Sequence, residues 1–369
     1  MTQTSVSAGG PRLLELPRIT SPSNGNGNGA GNGNGKSQPG YTLDFEGPLV
    51  RLEQQIRELE GLHAQNRIDA TRELRQIRET YTALLRKTYE NLSAWETVQV
   101  ARHPLRPKFC DYVSAICSEF VELHGDRQFG DDRAIRCGLA RLRGKRQNNK
   151  VVLIGHEKGR DTKERIYHNF GMANPEGYRK ALRCMKLAEK YGLPVVTMID
   201  TAGAYPPLGA EERGIAHAIA VNLMEMSRLR TPILSIVIGE GGSGGAIGIA
   251  VADKVAMMQF AWYSVISPEA CSAILMKDSS AAAQLAENLK LTSRNLKRLG
   301  VIDSVITEPL GGAHRDPHQA ISSVEQYIIR NLREWENCKI EKLLERRYEK
   351  FRNMGMHLET GLAAAALAG

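Results

Sequence analysis

No apolar stretch in this 369-residue chain is long enough to cross a bilayer, so no membrane-spanning helix is expected. The opening stretch, Met1 to Gly40, has no charged segment leading into an apolar one, so no secretory signal is expected either. Disulfide and zinc frameworks are missing too. The six cysteines (Cys110, Cys117, Cys137, Cys184, Cys271 and Cys338) are dispersed, with no C-x-x-C pair, which points to a reducing cytoplasm and to no metal on this chain. The net charge of +8 would suit nucleic acid, but basic residues alternate with acids and no aromatic-basic cluster occurs. A solvated surface and anionic substrates are the better expectation.

What is present is ordinary globular material: 42% hydrophobic residues with scattered charge, enough for one or two domains. Residues 1–40 are expected to form a flexible tail, because their Asn-Gly repeats with Ser and Pro cannot bury enough apolar surface to offset chain entropy. Residues 41–106 are expected to be helical. Leu49, Leu52, Ile56 and Leu59 share one face, Gly61 interrupts, and Leu74, Ile77, Tyr81, Leu84 and Leu92 form a second stripe, predicting a hairpin of two amphipathic helices. His103-Pro104 and Arg106-Pro107 mark the break before the main domain, residues 107–369.

Beyond Pro107 the pattern alternates as in an α/β core. Cys137, Leu139 and Val151 to Ile154 read as strands around a polar turn at Gly144 to Lys150, followed by a loop from Gly155 to Arg160. Pro175 and Gly192 bracket a helix with Ala181, Leu182, Met185 and Ala188 inward. Pro194 to Ile199 is the next strand. It leads into the loop Asp200 to Pro206, at a strand's carboxyl end, where α/β proteins place ligands. A helix with Ile215, Ile219 and Leu223 on one side follows, then the apolar run Ile233 to Ile238. Lys254 to Met258 and Val301 to Ile306 read as further strands, and Ile321, Val324, Ile328 and Leu332 as a C-terminal helix.

Between the strand at Ile233 and a short helix from Ala246 lies Gly239-Glu240-Gly241-Gly242-Ser243-Gly244-Gly245. Bare backbone there lets peptide N–H groups converge, and the helix dipole adds partial positive charge, so an anion or oxyanion is the expected occupant. The run fits G-x-G-x-x-G, but a dinucleotide site wants a long helix next and an acid roughly 20 residues on, and neither is present. A P-loop fails because Ala246 stands where Lys is needed. Gly241 to Gly245 also fits the nucleophile elbow G-x-S-x-G, with Asp303 and His314 following in the right order, so a serine hydrolase or peptidase stays open.

Asn169-Phe170-Gly171-Met172, Pro175 to Ala181, Gly203-Ala204-Tyr205-Pro206, Gly209 to Gly214, the glycine run, Ser264 to Glu269 and Glu308 to Arg315 together resemble the carboxyltransferase α subunit of bacterial acetyl-coenzyme A carboxylase. The likeness runs from about Tyr41 to the C-terminal helices, leaving out the tail and Thr360 to Gly369. The chain departs from the family at Ala202, where Pro is common, and around Met172 to Asn174.

The resemblance implies a crotonase-like α/β fold of repeated ββα units in which backbone N–H pairs form oxyanion holes. It implies a β subunit bearing a zinc ribbon, in an α2β2 heterotetramer, and work with biotin carboxylase and the biotin carboxyl carrier protein. The implied reaction moves a carboxylate from carboxybiotin to acetyl-coenzyme A, giving malonyl-coenzyme A for fatty acid synthesis. Gly244 and Gly245 would supply the hole for the biotin oxygen. Gly241, Gly242 and Ser243 would shape the turn, with Gly203 and Tyr205 beside the biotin. A non-catalytic scaffold subunit is the remaining alternative. Lys158, Arg160 and Arg179 are candidate ligands for a carboxylate or phosphate, and His156 and His314 read as surface or hydrogen-bonded structural residues.

Overall fold

The computed structural model describes residues 41–65, 69–144, 149–278 and 281–355. The expected tail, residues 1–40, and the terminal residues Thr360 to Gly369 lie outside them. In chain order the elements are α1 (Gly47–Ala64), α2 (Thr71–Glu90), α3 (Ala94–Ala101), α4 (Phe109–Ile116), β1 (Cys117–Glu122), β2 (Ile135–Leu142), β3 (Lys150–His156), α5 (Thr162–Tyr167), α6 (Pro175–Tyr191) and β4 (Val195–Thr201). There follow α7 (Leu208–Glu212), α8 (Ile215–Arg228), β5 (Ile233–Gly242), α9 (Ser243–Ile247), β6 (Lys254–Met258), β7 (Trp262–Ser264) and α10 (Pro268–Met276). The chain continues through α11 (Ala282–Asn288), α12 (Ser293–Arg298), β8 (Ser304–Ile306), α13 (Pro317–Trp335) and α14 (Ile340–Arg352).

The apolar stripes make α1 and α2 a hairpin. The Tyr81 hydroxyl donates to Glu53 at 2.7 Å and Arg78 reaches Glu60 at 2.6 Å, so the helices run antiparallel. Gly61 does not interrupt α1, which continues to Ala64; a lone glycine costs only about 1 kcal/mol in a helix interior. Leu92 falls beyond the end of α2.

The strands form one sheet in the order β1-β2-β3-β4-β5-β6-β8, with β7 added alongside the end of β5. The pairs β1-β2 and β2-β3 are antiparallel, and from β3 onward the pairing is parallel. Parallel strands are covered on both faces and so read as continuous apolar runs; every residue of β4 and β5 is buried. Cys137 faces Cys184 of α6. Its register partner Ile154 is followed by Gly155, which lies against Phe109 of α4, so α6 and α4 cover opposite faces. Each fully buried aliphatic in these strands contributes about 1.5–3 kcal/mol. The helix α3 shares this core through Ala94, Val98 and Ala101.

Several boundaries move. The strand β4 runs on through Asp200 and Thr201, which were expected in a loop, and β5 runs through Gly242, half-way into the glycine run. Both extensions have partners: Thr201 pairs with Gly241, and Gly241 with Tyr263. The strand β3 also takes in Gly155 and His156, whereas β8 begins only at Ser304. The buried face of α8 is Ile215, Ala218, Asn222, Glu225 and Met226, with Ile219 and Leu223 only partly covered. The helix turns this way because Asn222 is needed inside, where its amide donates to the Tyr178 and Gly248 carbonyls at 3.0 Å each.

Candidate active site

The carboxyl ends of β4 and β5 meet at one crevice. β5 passes without a break into α9, with Gly242 as the residue before the helix. A Cβ on Gly242 would overlap the Ala202 carbonyl, and one on Gly245 would overlap the Gly203–Ala204 peptide. Glycine is therefore required at these two positions because the turn after β4 lies directly on the turn after β5. The first of these turns is itself locked: the Thr201 hydroxyl donates to the Gly203 carbonyl at 2.7 Å and accepts from the Gly203 N–H at 3.2 Å. The Tyr205 N–H donates to the Ala173 carbonyl at 3.0 Å, and the Tyr205 ring packs against the core.

Ser243 opens α9 with φ 55°, a left-handed conformation that costs a non-glycine residue on the order of 1–2 kcal/mol. The first residues of a helix have N–H groups without intrahelical acceptors, and in α9 these are Ser243, Gly244 and Gly245. Ser243 and Gly244 are half-buried and Gly245 is buried. From below, the buried Tyr178 hydroxyl donates to the Gly245 carbonyl at 3.2 Å, and Gly248 lies against the Tyr178 ring. Helix α6 thus fixes the orientation of the glycine helix.

Beside this turn lies a chain of charges that no single motif announces. Lys158 pairs with Asp200 at 2.7 Å and with Glu240. Arg102 pairs with Glu240 at 2.6 Å and with Glu269 at the start of α10. The Glu240 N–H donates to Asp200 at 2.9 Å, tying the end of β5 to the end of β4. Burial pushes the Glu240 carboxyl up, but Lys158 and Arg102 outweigh it and hold it at about 2. Burial likewise opposes the Lys158 charge, and Asp200 and Glu240 overcome it, so its ammonium sits above the ordinary value. Of this chain, sequence reasoning singled out only Lys158. The signal for the others was an acid inside a glycine run and another ending an apolar strand, each needing a cation.

The remaining candidates do not converge on the crevice. Arg160 pairs with Asp111, and Arg179 is taken up by Asp126 at 2.7 Å and Glu176 at 3.0 Å. His156 is fully buried, with neither ring nitrogen hydrogen-bonded among the described residues, and burial lowers it to about 3, so it is neither a surface nor a bonded residue there. His314 stacks on His103 with ring centroids 4.0 Å apart and approaches Tyr89 of α2, whereas Asp303 pairs with Lys350 of α14 at 2.5 Å. The Ser243, Asp303 and His314 order seen in the sequence is therefore not a triad. Among the described residues no cluster of His, Cys, Asp and Glu could hold a metal, and no helix is long and apolar enough to cross a membrane.

The family described as acetyl co-enzyme A carboxylase carboxyltransferase-like matches residues 42–355. The chain is 50% identical over 319 residues to the acetyl-coenzyme A carboxylase carboxyl transferase subunit alpha of Geobacter metallireducens, covering 86% of this chain and 99% of that one. It is 52% identical over 321 residues to the subunit of the same name from Rhodopirellula baltica, covering 87% and 99%. Among solved structures, transcarboxylase 12S aligns at 18% identity and a TM-score of 0.47 over 61% of this chain and 42% of that one, too slight a likeness to add to the family match.

Proposed function

Because the chain belongs to the acetyl-coenzyme A carboxylase carboxyltransferase family, with the crotonase-like fold of that family, we propose that it is the α subunit that accepts carboxybiotin and passes the carboxyl group to acetyl-coenzyme A. In that reaction the N–CO₂ bond of carboxybiotin breaks, the methyl carbon of the thioester loses a proton, and a C–C bond forms to give malonyl-coenzyme A. Two oxygens gain negative charge: the biotin urea oxygen as its ring leaves, and the thioester oxygen of the enolate. The leaving biotin nitrogen is basic enough to take the methyl proton, so the chemistry needs no side-chain base.

The observation that carries this reading is the turn itself. N–H groups without intrahelical acceptors begin α9 at the carboxyl end of β5, and the Ala202–Ala204 turn lies against Gly242 and Gly245. Gly244 and Gly245 are assigned to the biotin oxygen, with Gly241, Gly242 and Ser243 shaping the turn and Gly203 and Tyr205 forming its opposite wall. One such donor is worth about 3 kcal/mol at the transition state. The second hole, for the thioester, is assigned to a zinc-ribbon β subunit in an α2β2 assembly, with biotin carboxylase and the biotin carrier as further partners in the cytoplasm.

The hydrolase alternative has one feature in its favour, the strained Ser243, but Asp303 and His314 are spent elsewhere. The test is carboxyl transfer from malonyl-coenzyme A to free biocytin, a biotinyl-lysine. The chain with its β subunit should support it, and the chain alone should not. Full activity from the isolated chain would overturn the division of labour.

A further inference from the structure

We propose that the rim formed by the Gly125–Arg133 loop and the α5–Gly171 segment is the docking surface for the protein that delivers biotin, and that the docking face of this carrier is acidic. This rests on the carboxyltransferase reading and adds a location to it. The loop is built as a rigid tip. Asp126 is buried, and one of its carboxylate oxygens accepts from the N–H groups of Gln128, Phe129 and Gly130 at 2.8–3.0 Å, while the other takes Arg179 at 2.7 Å. The tip holds Arg127 at φ 66° and leaves Phe129 69% exposed. A large apolar ring held mostly in water by a pre-ordered loop gains little from burial in the isolated chain, and such rigid aromatic and arginine groups dominate protein interfaces.

The second half of the rim is strained in the same manner. Asn169, Phe170 and Gly171 take φ 47°, 54° and 77°, three left-handed residues in a row, and Phe170 emerges 49% exposed beside Tyr167 at 52%. The two halves are joined. The Arg133 guanidinium lies 4.1 Å from the Tyr167 ring centroid, and His168 meets the Arg133 carbonyl at 2.6 Å.

Cations predominate on this surface; in α5 the exposed Glu164 stands between Lys163 and Arg165. Asp126, Asp131 and Asp132 of the loop are turned to Arg179, Lys180 and the Asn174 amide, whereas Arg127 and Arg133 are exposed with no ion pair among the described residues. The stretch is bounded by Arg213, which lies over the Phe129 ring at 4.9 Å and bonds Asn174 and Glu176, with the exposed Glu211 and Glu212 beyond it. Its position suits delivery. Asn174 follows Ala173, whose carbonyl holds the Tyr205 N–H, and Gly171 lies against the Asp200 carbonyl. A carrier seated on Phe129, Phe170 and the two arginines would have a biotinyl arm within reach of the crevice.

The test compares two forms of one substrate on the two-subunit complex: free biocytin and a biotinylated carrier domain. The double variant Arg127→Glu, Phe129→Ala should raise KM for the carrier about tenfold, the loss of one or two interface anchors. It should leave kcat and KM for free biocytin within about twofold, since neither residue touches the crevice. Added salt should raise the wild-type KM for the carrier and change the variant's less. Equal losses on both substrates would overturn the proposal, by placing the rim in the site or in a subunit contact. So would unchanged kinetics on both. Calorimetric binding of the biotinylated carrier separates this from the functional reading: tenfold weaker binding by the variant supports the surface even if the complex transfers no carboxyl group, and equal binding overturns it.

Discussion

Lys158 and Arg78 each sit beside a carboxylate, one at the carboxyl ends of the strands and one on the helical hairpin, and their surroundings give the two pairings different meanings. The Lys158–Asp200 pair is 13% and 2% exposed and continues through the buried Glu240 to Arg102 and Glu269 at the rim, so the charges of Lys158, Asp200 and Glu240 are answered by neighbours that water does not replace. The Arg78–Glu60 pair is 60% and 43% exposed, and water would answer either member. The hairpin even carries a groove of about 820 Å³, lined by Glu60, His63, Leu74 and Arg78 among others, in which Arg75 is matched by Glu79 and Arg78 by Glu60. Open volume does not mark the chemistry of this chain; backbones pressed together and charges buried in sequence do.

The sharpest way to break the crevice is Gly245→Val. Its side chain would be driven into the Gly203–Ala204 peptide rather than into the space of the substrate, so it separates the two turns and displaces the donors. Carboxyl transfer should fall roughly 100-fold or more, the scale of a lost oxyanion donor, with circular dichroism unchanged. Next comes Lys158→Met, which leaves Asp200 and Glu240 short of a cation and should cost about 3–5 kcal/mol in urea unfolding. Acid probes the same chain of charges. Glu240, held at about 2 against an ordinary value of 4.5, contributes stability that is full above pH 4.5 and is lost as pH falls towards 2, so the variant should show a shallower loss across that window.

The hairpin should respond differently. Arg315 is its clasp, meeting Glu46 at 2.6 Å and Glu53 at 2.5 Å, and Arg315→Met should cost about 2 kcal/mol and speed proteolysis within α1 and α2. Carboxyl transfer by the assembled complex should change less than about twofold, as expected for a region that holds none of the groups proposed to act. Smallest of all, Arg78→Ala should stay within about 0.5 kcal/mol of the parent in thermal unfolding, as exposed pairs do. A large loss there would erase the contrast between the two regions.

The same contrast explains what could be read from the sequence. The amphipathic stripes of α1, α2 and α13 were legible because helical periodicity is local, and the α6 boundaries because Pro175 and Gly192 are local signals too. The glycine run was legible as a site, but the reason for its composition was not. Gly242 and Gly245 answer to Ala202, Gly203 and Ala204, some forty residues earlier, and no pattern near either segment reports that approach. Glu240 looked like one variable residue in a motif and proved to be the meeting point of Lys158 and Arg102. The inward turn of Asn222 was hidden for the same reason, since its partners are carbonyls on α6 and just beyond α9.

The central claim, that backbone N–H groups of the glycine turn do the chemistry and no side chain there is a nucleophile, is tested most directly by Ser243→Ala. The variant, assembled with the β subunit, would be assayed for carboxyl transfer from malonyl-coenzyme A to biocytin. Most of the parent turnover should remain, because alanine keeps the peptide N–H groups of Gly244 and Gly245 and removes only a hydroxyl. Loss of nearly all turnover, as removal of a serine nucleophile produces, would contradict the assignment.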